Sequence, residues 1–294
     1  MRHLLVLALL AVPSVAVAQQ KLPAGVEAHR DLAYGPHKER NTLDVFTPKS
    51  DKPTPLIIWI HGGAWQAGSK NGGNPAMRFL EKGYAVASIN YRLSQHAIFP
   101  AQIQDCKAAV RFLRANAKKF NLNPDAFGAW GSSAGGHLVA LLGTSGDVKE
   151  LEGEVGEHKG VSSRVQAVCD FFGPTDLTKM AEQEKVKGKI DHDSPNSPES
   201  KLVGGPIQQN KDKAAKANPI TFVTKDDPPV LMLHGDADPL VPLGQSEILL
   251  EALKKAGVEA ELVVIKGNGH GGPGFGTPEM QDKIAKFFDM HLKK

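Results

Sequence analysis

The chain of 294 residues carries 35 Lys and Arg against 32 Asp and Glu, which gives a formal net charge of +3. Hydrophobic residues make up 41 % of the chain and charged residues 23 %, a composition typical of globular rather than disordered or collagen-like proteins. A charge so close to zero provides no basic surface for nucleic acid and no strong attraction to anionic membranes. We therefore expect neither nucleic acid nor a membrane as a partner.

The first residues have the three-part layout of a secretory signal peptide. A short basic start precedes an apolar run from Leu4 to Val12, and a small-x-small site with Ala16 and Ala18 precedes two glutamines. The apolar run is too short to span a bilayer, and Pro13 interrupts it. The sequence thus predicts a signal peptide over residues 1–18 and export to the periplasm or the medium, with residues 19–294 as the mature domain.

Beyond this segment, apolar runs suited to buried strands alternate with helical patterns. The predicted elements, in chain order, are strands at 26–34, 42–46 and 55–60, a helix at 74–82, a strand at 84–90, a helix at 101–118, a strand at 126–130, a helix at 134–142, strands at 165–172 and 230–234, a helix at 245–256, a strand at 260–266 and a helix at 278–292. This alternation indicates an α/β fold with a mainly parallel sheet covered by helices on both faces.

One segment, residues 176–225, interrupts the alternation. It is rich in charges of both signs, and its composition predicts a solvated cap or lid inserted into the domain. Asp191, His192 and Asp193 within it would be acceptable metal ligands, but three adjacent side chains rarely converge on one ion, so we interpret them as a surface loop. We expect no metal and no cofactor.

The two cysteines have apolar neighbours. Cys106 lies in a helical pattern and Cys169 in a strand pattern, so both are interpreted as small core residues. Export to an oxidising compartment would allow a disulfide between them, and this alternative stays open because the sequence does not give the distance between their Cα atoms.

A candidate nucleophile stands where the predicted strand 126–130 meets the helix 134–142. The segment Gly131-Ser132-Ser133-Ala134-Gly135 fits the pattern G-x-S-x-G, whose sharp strand-to-helix turn exposes the central serine above the sheet. The register makes Ser133 the nucleophile. The helix N-terminus behind it favours negative charge.

A second glycine-rich turn, His61-Gly62-Gly63-Ala64-Trp65, follows the predicted strand 55–60. Acyl transfer develops an oxyanion that must be stabilised by N–H donors fixed in advance. We assign this role to the backbone amides of Gly63 and Ala64, together with that of Ala134, the residue after the nucleophile.

A serine nucleophile needs a base and an acid that orients it, and in this architecture they follow the serine in the order acid, then histidine. His270 comes directly after the last predicted strand and is the candidate base. Asp236 and Asp238 both follow the strand 230–234. We prefer Asp238 because it follows the strand by a full loop, and Asp236 could cap that loop instead.

The chain resembles the α/β-hydrolase superfamily, and most of all the bifunctional feruloyl and acetyl xylan esterases. The motifs that carry this resemblance are His61 to Trp65, Asn90 to Leu93, Gly131 to Leu138, Phe171 to Asp176, Ser197 to Gly205 and His234 to Pro242. The resemblance implies an eight-stranded sheet, no metal, and a cap between the sixth and seventh strands.

The sequence thus predicts an exported serine esterase that acts on acetyl or feruloyl esters of plant cell-wall polysaccharides such as xylan. The alternatives are a generic short-chain carboxylesterase, lipase or polyester hydrolase, a serine peptidase, and a non-catalytic binding module on the same scaffold. Trp65 and Tyr91 are candidates for lining the substrate pocket, although they could equally belong to the core. The sequence sets neither the acyl specificity nor the oligomeric state.

Overall fold

A computed structural model describes residues 22–146, 148–186, 188 and 190–293, so the predicted signal peptide lies outside the described residues. The strands are β1 (Val26–Ala33), β2 (Thr42–Pro48), β3 (Thr54–Ile60), β4 (Ala85–Ile89), β5 (Leu122–Ser132), β6 (Ala167–Phe171), β7 (Val230–Gly235) and β8 (Ala260–Ile265). In the described part of the chain they form one eight-stranded sheet in the order β1-β2-β4-β3-β5-β6-β7-β8.

The sheet is mainly parallel. β1 pairs with β2 and β2 with β4 in antiparallel fashion, whereas the strands from β4 through β3, β5, β6 and β7 to β8 run parallel. The carboxyl ends of the parallel strands therefore meet at one edge of the sheet, and loops that follow them lie close together. This confirms the predicted fold, the α/β-hydrolase fold.

Helices cover both faces of the sheet. The α-helices are α1 (Ala101–Ala115), α2 (Ala134–Thr144), α3 (Lys149–Glu152), α4 (Pro198–Val203), α5 (Lys211–Ala217), α6 (Gly244–Lys255) and α7 (Pro278–Leu292), and 3-10 helices span Pro75–Lys82, Leu177–Lys179, Ile207–Gln209, Pro219–Phe222 and Pro273–Gly276. The helix predicted at 74–82 is thus a 3-10 helix, capped by the Asn74 side chain at its start and ended by Gly83 with a φ of 79°. No helix among the described residues has the length and apolar character that crossing a membrane requires.

The core has two layers, one on each face of the sheet. Helices α1, α2 and α6 pack on one layer, and the 3-10 helix Pro75–Lys82 and α7 on the other. Cys106 lies in the first layer and Cys169 in the second, and both thiols are free and fully buried. Their interpretation as core residues is therefore confirmed, and the sheet between them rules out the disulfide alternative.

The insertion between β6 and β7 is more buried than its composition predicts. It contributes several apolar side chains to the core layer of α1, α2 and α6, namely Leu202, Val203, Ile207, Ala214 and Ala217. His192 is also buried, 3 % exposed, and its Nδ1 pairs with Glu199 Oε1 at 2.9 Å. The surface-loop interpretation thus holds for Asp191 and Asp193, which are exposed, but is wrong for His192, whose buried carboxylate partner compensates its lost hydration.

Candidate active site

Ser133 occupies a strained turn between β5 and α2. Its φ of 56° and ψ of −124° are unfavourable for a residue with a side chain, as expected for a serine forced above the sheet. The turn needs glycines on both sides. A Cβ added to Gly131 would lie 2.3 Å from the Gly135 carbonyl oxygen, and one added to Gly135 would lie 2.1 Å from that of Ile60. The sequence pattern therefore has a steric cause in this chain.

The backbone of Ser133 is fixed on both sides. Its N–H donates to the Phe171 carbonyl at 2.9 Å, at the end of β6, and its own carbonyl accepts the His137 N–H at 3.0 Å within α2. The side chain is half-buried and thus accessible from outside. Gly62 of the glycine-rich turn is directly adjacent, since a Cβ there would lie 3.2 Å from Ser133 Cβ. The structure thus brings the predicted nucleophile and the predicted oxyanion turn together.

The glycine-rich turn itself has an unusual backbone. Gly63, Ala64 and Trp65 have φ values of 114°, 53° and 55°, three consecutive residues in or near the left-handed region. The Gly63 carbonyl accepts the N–H groups of Gln66 and Ala67, both at 2.9 Å, which closes the turn. Within the described part of the chain, the N–H groups of Gly63 and Ala64 donate to no protein acceptor. Ala134 lies in the first turn of α2, whose N–H groups have no partner within the helix.

Trp65 and Tyr91 are core residues, and the substrate-lining role that the sequence allowed for them is wrong. Trp65 is 2 % exposed and Tyr91 fully buried. The Trp65 indole N–H donates to Nδ1 of His137 at 3.2 Å, and the Tyr91 hydroxyl donates to the His61 carbonyl at 2.9 Å. Both side chains have a polar end that these bonds satisfy, so burial is favourable and they support the turn from beneath.

The candidate acid and base are in contact. His270, in the loop after β8, has its Nδ1 2.8 Å from Oδ2 of Asp238. Asp238 is fully buried at its side chain, while the His270 side chain is 18 % exposed. Asp236 instead accepts the Gly267 N–H at 2.6 Å and holds the β8 loop. Of the two aspartates that the sequence offered, Asp238 is thus the one paired with the histidine.

Several donors stabilise the charge of Asp238. Its Oδ1 accepts the N–H groups of Leu240 and Val241 at 2.8 and 2.9 Å. Its Oδ2 lies 3.4 Å from Nε2 of His234, besides His270. Burial alone would raise the pKa of Asp238, but the hydrogen bonds from His234, His270 and Val241 lower it below its usual value. Asp238 is therefore a carboxylate at neutral pH and suited to orient an imidazole.

Sequence reasoning missed three neighbours of this site. Phe172, with a φ of 43°, places its ring 4.5 Å from that of His270. Asp170, fully buried at the end of β6, accepts the Gly173 N–H at 2.9 Å, and burial raises its pKa to about 7. Arg40, in the β1–β2 turn, donates to the Gly68 carbonyl just beyond the glycine-rich turn, and its Nη2 lies 3.4 Å from Nε2 of His61. Phe172 lies within the Phe171-to-Asp176 motif and Asp170 directly before it, but the segment around Arg40 carries no signal beyond a polar turn.

The strand ends thus assemble the parts that acyl transfer requires. A half-buried serine stands at a helix N-terminus, and a turn with unpaired backbone amides packs against it through Gly62. A histidine paired with a buried carboxylate packs against Phe172. Among the described residues, no group of three or more His, Cys, Asp or Glu side chains could hold a metal ion. The fold and these residues are those of the α/β-hydrolase class.

Comparison with known proteins narrows the class to a family. The BD-FAE family model matches residues 43–253, so the chain belongs to the BD-FAE family. The match includes Ser133 and Asp238 and ends before His270. The chain is 32 % identical over 233 residues to the esterase LipQ of Mycobacterium tuberculosis, covering 77 % of this chain and 53 % of LipQ. The chain spans about half the length of the curated relatives it matches.

Two solved structures are similar over most of the chain. A truncated carbohydrate esterase from gut microbiota is 35 % identical with a TM-score of 0.83, covering 91 % of this chain and 97 % of that one. A bifunctional GH43-CE protein of Bacteroides eggerthii is 38 % identical with a TM-score of 0.80, covering 93 % of this chain and 36 % of that one.

Proposed function

We propose that the protein is a serine esterase that hydrolyses carboxylic esters through an acyl-enzyme. The observation that carries this proposal is the pairing of His270 with the buried carboxylate of Asp238 at 2.8 Å, at the same edge of the sheet as the strained turn of Ser133. A histidine held in this way presents its other ring nitrogen as a base. The esterases among its relatives support the same activity.

The proposed reaction has two halves. The Ser133 hydroxyl transfers its proton to Nε2 of His270 while Oγ attacks the ester carbonyl, and the amides of Gly63, Ala64 and Ala134 stabilise the oxyanion. The C–O bond to the alcohol then breaks, and the alcohol leaves with the proton from His270. Water, deprotonated by His270, attacks the acyl-enzyme, and the acid product leaves as Ser133 regains its proton.

For the substrate, we propose acetyl or feruloyl esters of cell-wall polysaccharides such as xylan. The resemblance of the chain to feruloyl and acetyl xylan esterases supports this, as do the two structural neighbours, a carbohydrate esterase and a bifunctional GH43-CE protein. The predicted signal peptide supports it too, because a polymer must be met outside the cytoplasm. A protein with a net charge of only +3 also suits a substrate whose ester groups are uncharged.

A second candidate is a short-chain carboxylesterase without carbohydrate preference. Three curated relatives at 32 % identity are named esterases or a probable carboxylic ester hydrolase, with no sugar in their names. The same residues would act in the same way on a simple alkyl ester, so only the alcohol side of the substrate separates the two candidates.

Turnover on four substrates tests these proposals. We expect hydrolysis of p-nitrophenyl acetate, and faster release of acetate from acetylated xylan or of ferulate from methyl ferulate if the carbohydrate proposal is correct. Activity on p-nitrophenyl acetate alone would favour the second candidate, and activity on a peptide would favour a peptidase. A chain that hydrolyses none of them, and whose Ser133 does not react with a fluorophosphonate, would refute the esterase proposal and indicate a binding module.

Export is tested separately. We expect the protein recovered from the periplasm or medium of the producing cell to begin at Gln19, by mass spectrometry of the intact chain. Recovery of the full-length chain from the cytoplasm would contradict the proposed export.

A further inference from the structure

The glycine-rich turn has a backbone that it would not keep by itself. Residues such as Ala64 and Trp65 with positive φ are strained, and they persist only where the surroundings hold them. The direction of the Gly63 N–H is important, because an oxyanion donor acts only when it already points at the developing charge. The question is therefore which side chain fixes the peptide between Gly62 and Gly63.

His61 contacts this peptide directly. Its Nδ1 lies 2.7 Å from the Gly62 carbonyl oxygen. A carbonyl only accepts hydrogen bonds, so Nδ1 must carry the proton. Burial lowers the pKa of His61 to about 4, so the ring is neutral and Nε2 has a free lone pair. In a trans peptide the C=O and N–H groups point in opposite directions. The ring that holds the Gly62 carbonyl therefore sets the direction of the Gly63 N–H.

Arg40 fixes this form of His61. Its Nη2 lies 3.4 Å from Nε2 of His61, where a guanidinium can only donate. A ring protonated at Nε2 instead of Nδ1 would present an N–H to this donor and a lone pair to the Gly62 carbonyl, and both contacts would be lost. The His61 ring is also stacked on Tyr91, with 4.4 Å between ring centroids, so it does not turn away.

Arg40 is itself held in place by the same region. Its Nε donates to the Tyr91 carbonyl at 2.8 Å, and its Nη1 and Nη2 lie 3.2 and 3.3 Å from the Gly68 carbonyl. Gly68 packs against the start of the turn, since a Cβ there would lie 2.5 Å from the Gly62 carbonyl oxygen. The planar guanidinium thus joins three points around the turn at once, which the single ammonium of a lysine does not reproduce.

We propose that Arg40 is a positioning residue for the oxyanion site: it fixes the Nδ1–H tautomer of His61, whose hydrogen bond to the Gly62 carbonyl directs the Gly63 N–H toward the substrate. This inference rests on the esterase function proposed above. It adds to the machinery of the reaction a residue from the β1–β2 turn, which lies outside the sequence motifs named above.

The test uses Arg40→Met and Arg40→Lys, with Arg114→Lys as the matched control. Arg114 also binds backbone carbonyls with its guanidinium, those of Pro124, Ser162 and Arg164, but it lies at the far end of α1 near the start of β5. For each variant we would measure kcat and KM on p-nitrophenyl acetate, and inhibition by an alkyl trifluoromethyl ketone, whose adduct carries the oxyanion. Nitrogen-15 NMR of the histidine rings would give the His61 tautomer.

We expect kcat of both Arg40 variants to fall about 10- to 100-fold with KM changed less than about threefold, and the ketone to bind more weakly by the same factor as kcat. The wild-type His61 ring is expected as the Nδ1–H tautomer, and Arg40→Met is expected to shift it toward Nε2–H. Arg114→Lys should leave kcat and the tautomer unchanged. If Arg40→Met unfolds, Arg40→Lys and the wild-type tautomer still decide the matter.

Three results would overturn the inference: an Nε2–H tautomer in the wild type, unchanged kcat in a folded Arg40 variant, or an equal loss of kcat in Arg114→Lys. A wild-type protein without ester turnover or fluorophosphonate labelling would refute the proposed function instead. The NMR measurement does not depend on activity, so the two failures are distinguishable.

Discussion

Asp238 and His270, 32 residues apart in the chain, meet through a hydrogen bond of 2.8 Å, and the carboxylate in this pair is completely buried. Asp238→Asn keeps the shape but can no longer fix the imidazole tautomer that leaves Nε2 free as a base. We expect kcat on p-nitrophenyl acetate to fall by about 10³- to 10⁴-fold. Asp236→Asn is the matched control and should lose less than about tenfold, because among the described residues its side chain bonds only the Gly267 amide. A larger loss of kcat in Asp236→Asn than in Asp238→Asn would assign the role of the acid to Asp236.

The register of the nucleophile is tested with the adjacent serines. Ser133→Ala should abolish turnover, with a loss of at least about 10⁴-fold, and should stop labelling by a fluorophosphonate. Ser132→Ala should retain most activity, because Ser132 is the last residue of β5 and precedes the strained turn. Circular dichroism would verify that both variants fold. Retained labelling in Ser133→Ala together with its loss in Ser132→Ala would place the nucleophile one residue earlier.

Gly135 tests the steric basis of the turn. The methyl group of Gly135→Ala would lie 2.1 Å from the Ile60 carbonyl oxygen and 2.7 Å from that of His61, so α2 and β3 must move apart. We expect the free energy of unfolding to fall by about 3 kcal/mol or more. Gly160→Ala, whose methyl group would meet no atom within 4 Å, should change it by less than about 0.5 kcal/mol. Urea unfolding of both variants measures the difference, and equal stabilities would refute the argument.

Asp170 should make stability depend on pH. Burial raises its pKa from 3.8 to about 7, against the opposing influence of His234 and of the Gly173 N–H. The folded state therefore binds the proton more tightly than the unfolded state, and the stability gained from it below pH 3.8 is lost as the pH rises toward 7. Relative to Asp170→Asn, the free energy of unfolding of the wild type should fall by on the order of 4 kcal/mol between pH 4 and 7. Above pH 7 the difference between the two proteins should stay constant.

Urea unfolding of the two proteins across this pH range measures the loss. A difference in unfolding free energy that stays constant from pH 4 to 7 would show that Asp170 does not titrate in this window. Asp289→Asn provides the opposite control, because hydrogen bonds from Lys293 and Tyr84 lower the pKa of Asp289 despite partial burial. Its stabilising contribution should be present above pH 3.8 and be lost at lower pH.

The sequence predicted the fold well where local patterns suffice. Buried apolar strands, the capped helix starts and the glycine after Lys82 follow from neighbouring residues, and the structure agrees with them to within a few positions. Among the predicted strands, the start of β5 differs most, at Leu122 rather than near Ala126. Leu122 aligns with Thr54 across an irregularity in the β3–β5 register, a tertiary pairing that periodicity does not encode.

For the site, glycine spacing predicted the strained turn at Ser133, and loop position favoured Asp238 over Asp236 as the partner of His270, which the structure pairs. The catalytic roles of these residues stay predictions. Sequence reasoning failed where burial depends on distant segments. Trp65 and Tyr91 are buried because His137 and the His61 carbonyl satisfy their polar ends, and the insertion is buried because its scattered apolar residues converge on α2. Arg40 was missed because it stands in a polar turn, and only the folded chain brings it to Gly68.

The two thiols on opposite sides of the sheet have a practical consequence. Since Cys106 and Cys169 are both buried and unpaired, no covalent cross-link within the chain has to form before the fold is complete. Burial also raises the pKa of both thiols, which suppresses their reaction with oxidants. The protein can therefore be produced in a reducing host without oxidative folding catalysts, and its thermal midpoint should be the same with and without dithiothreitol.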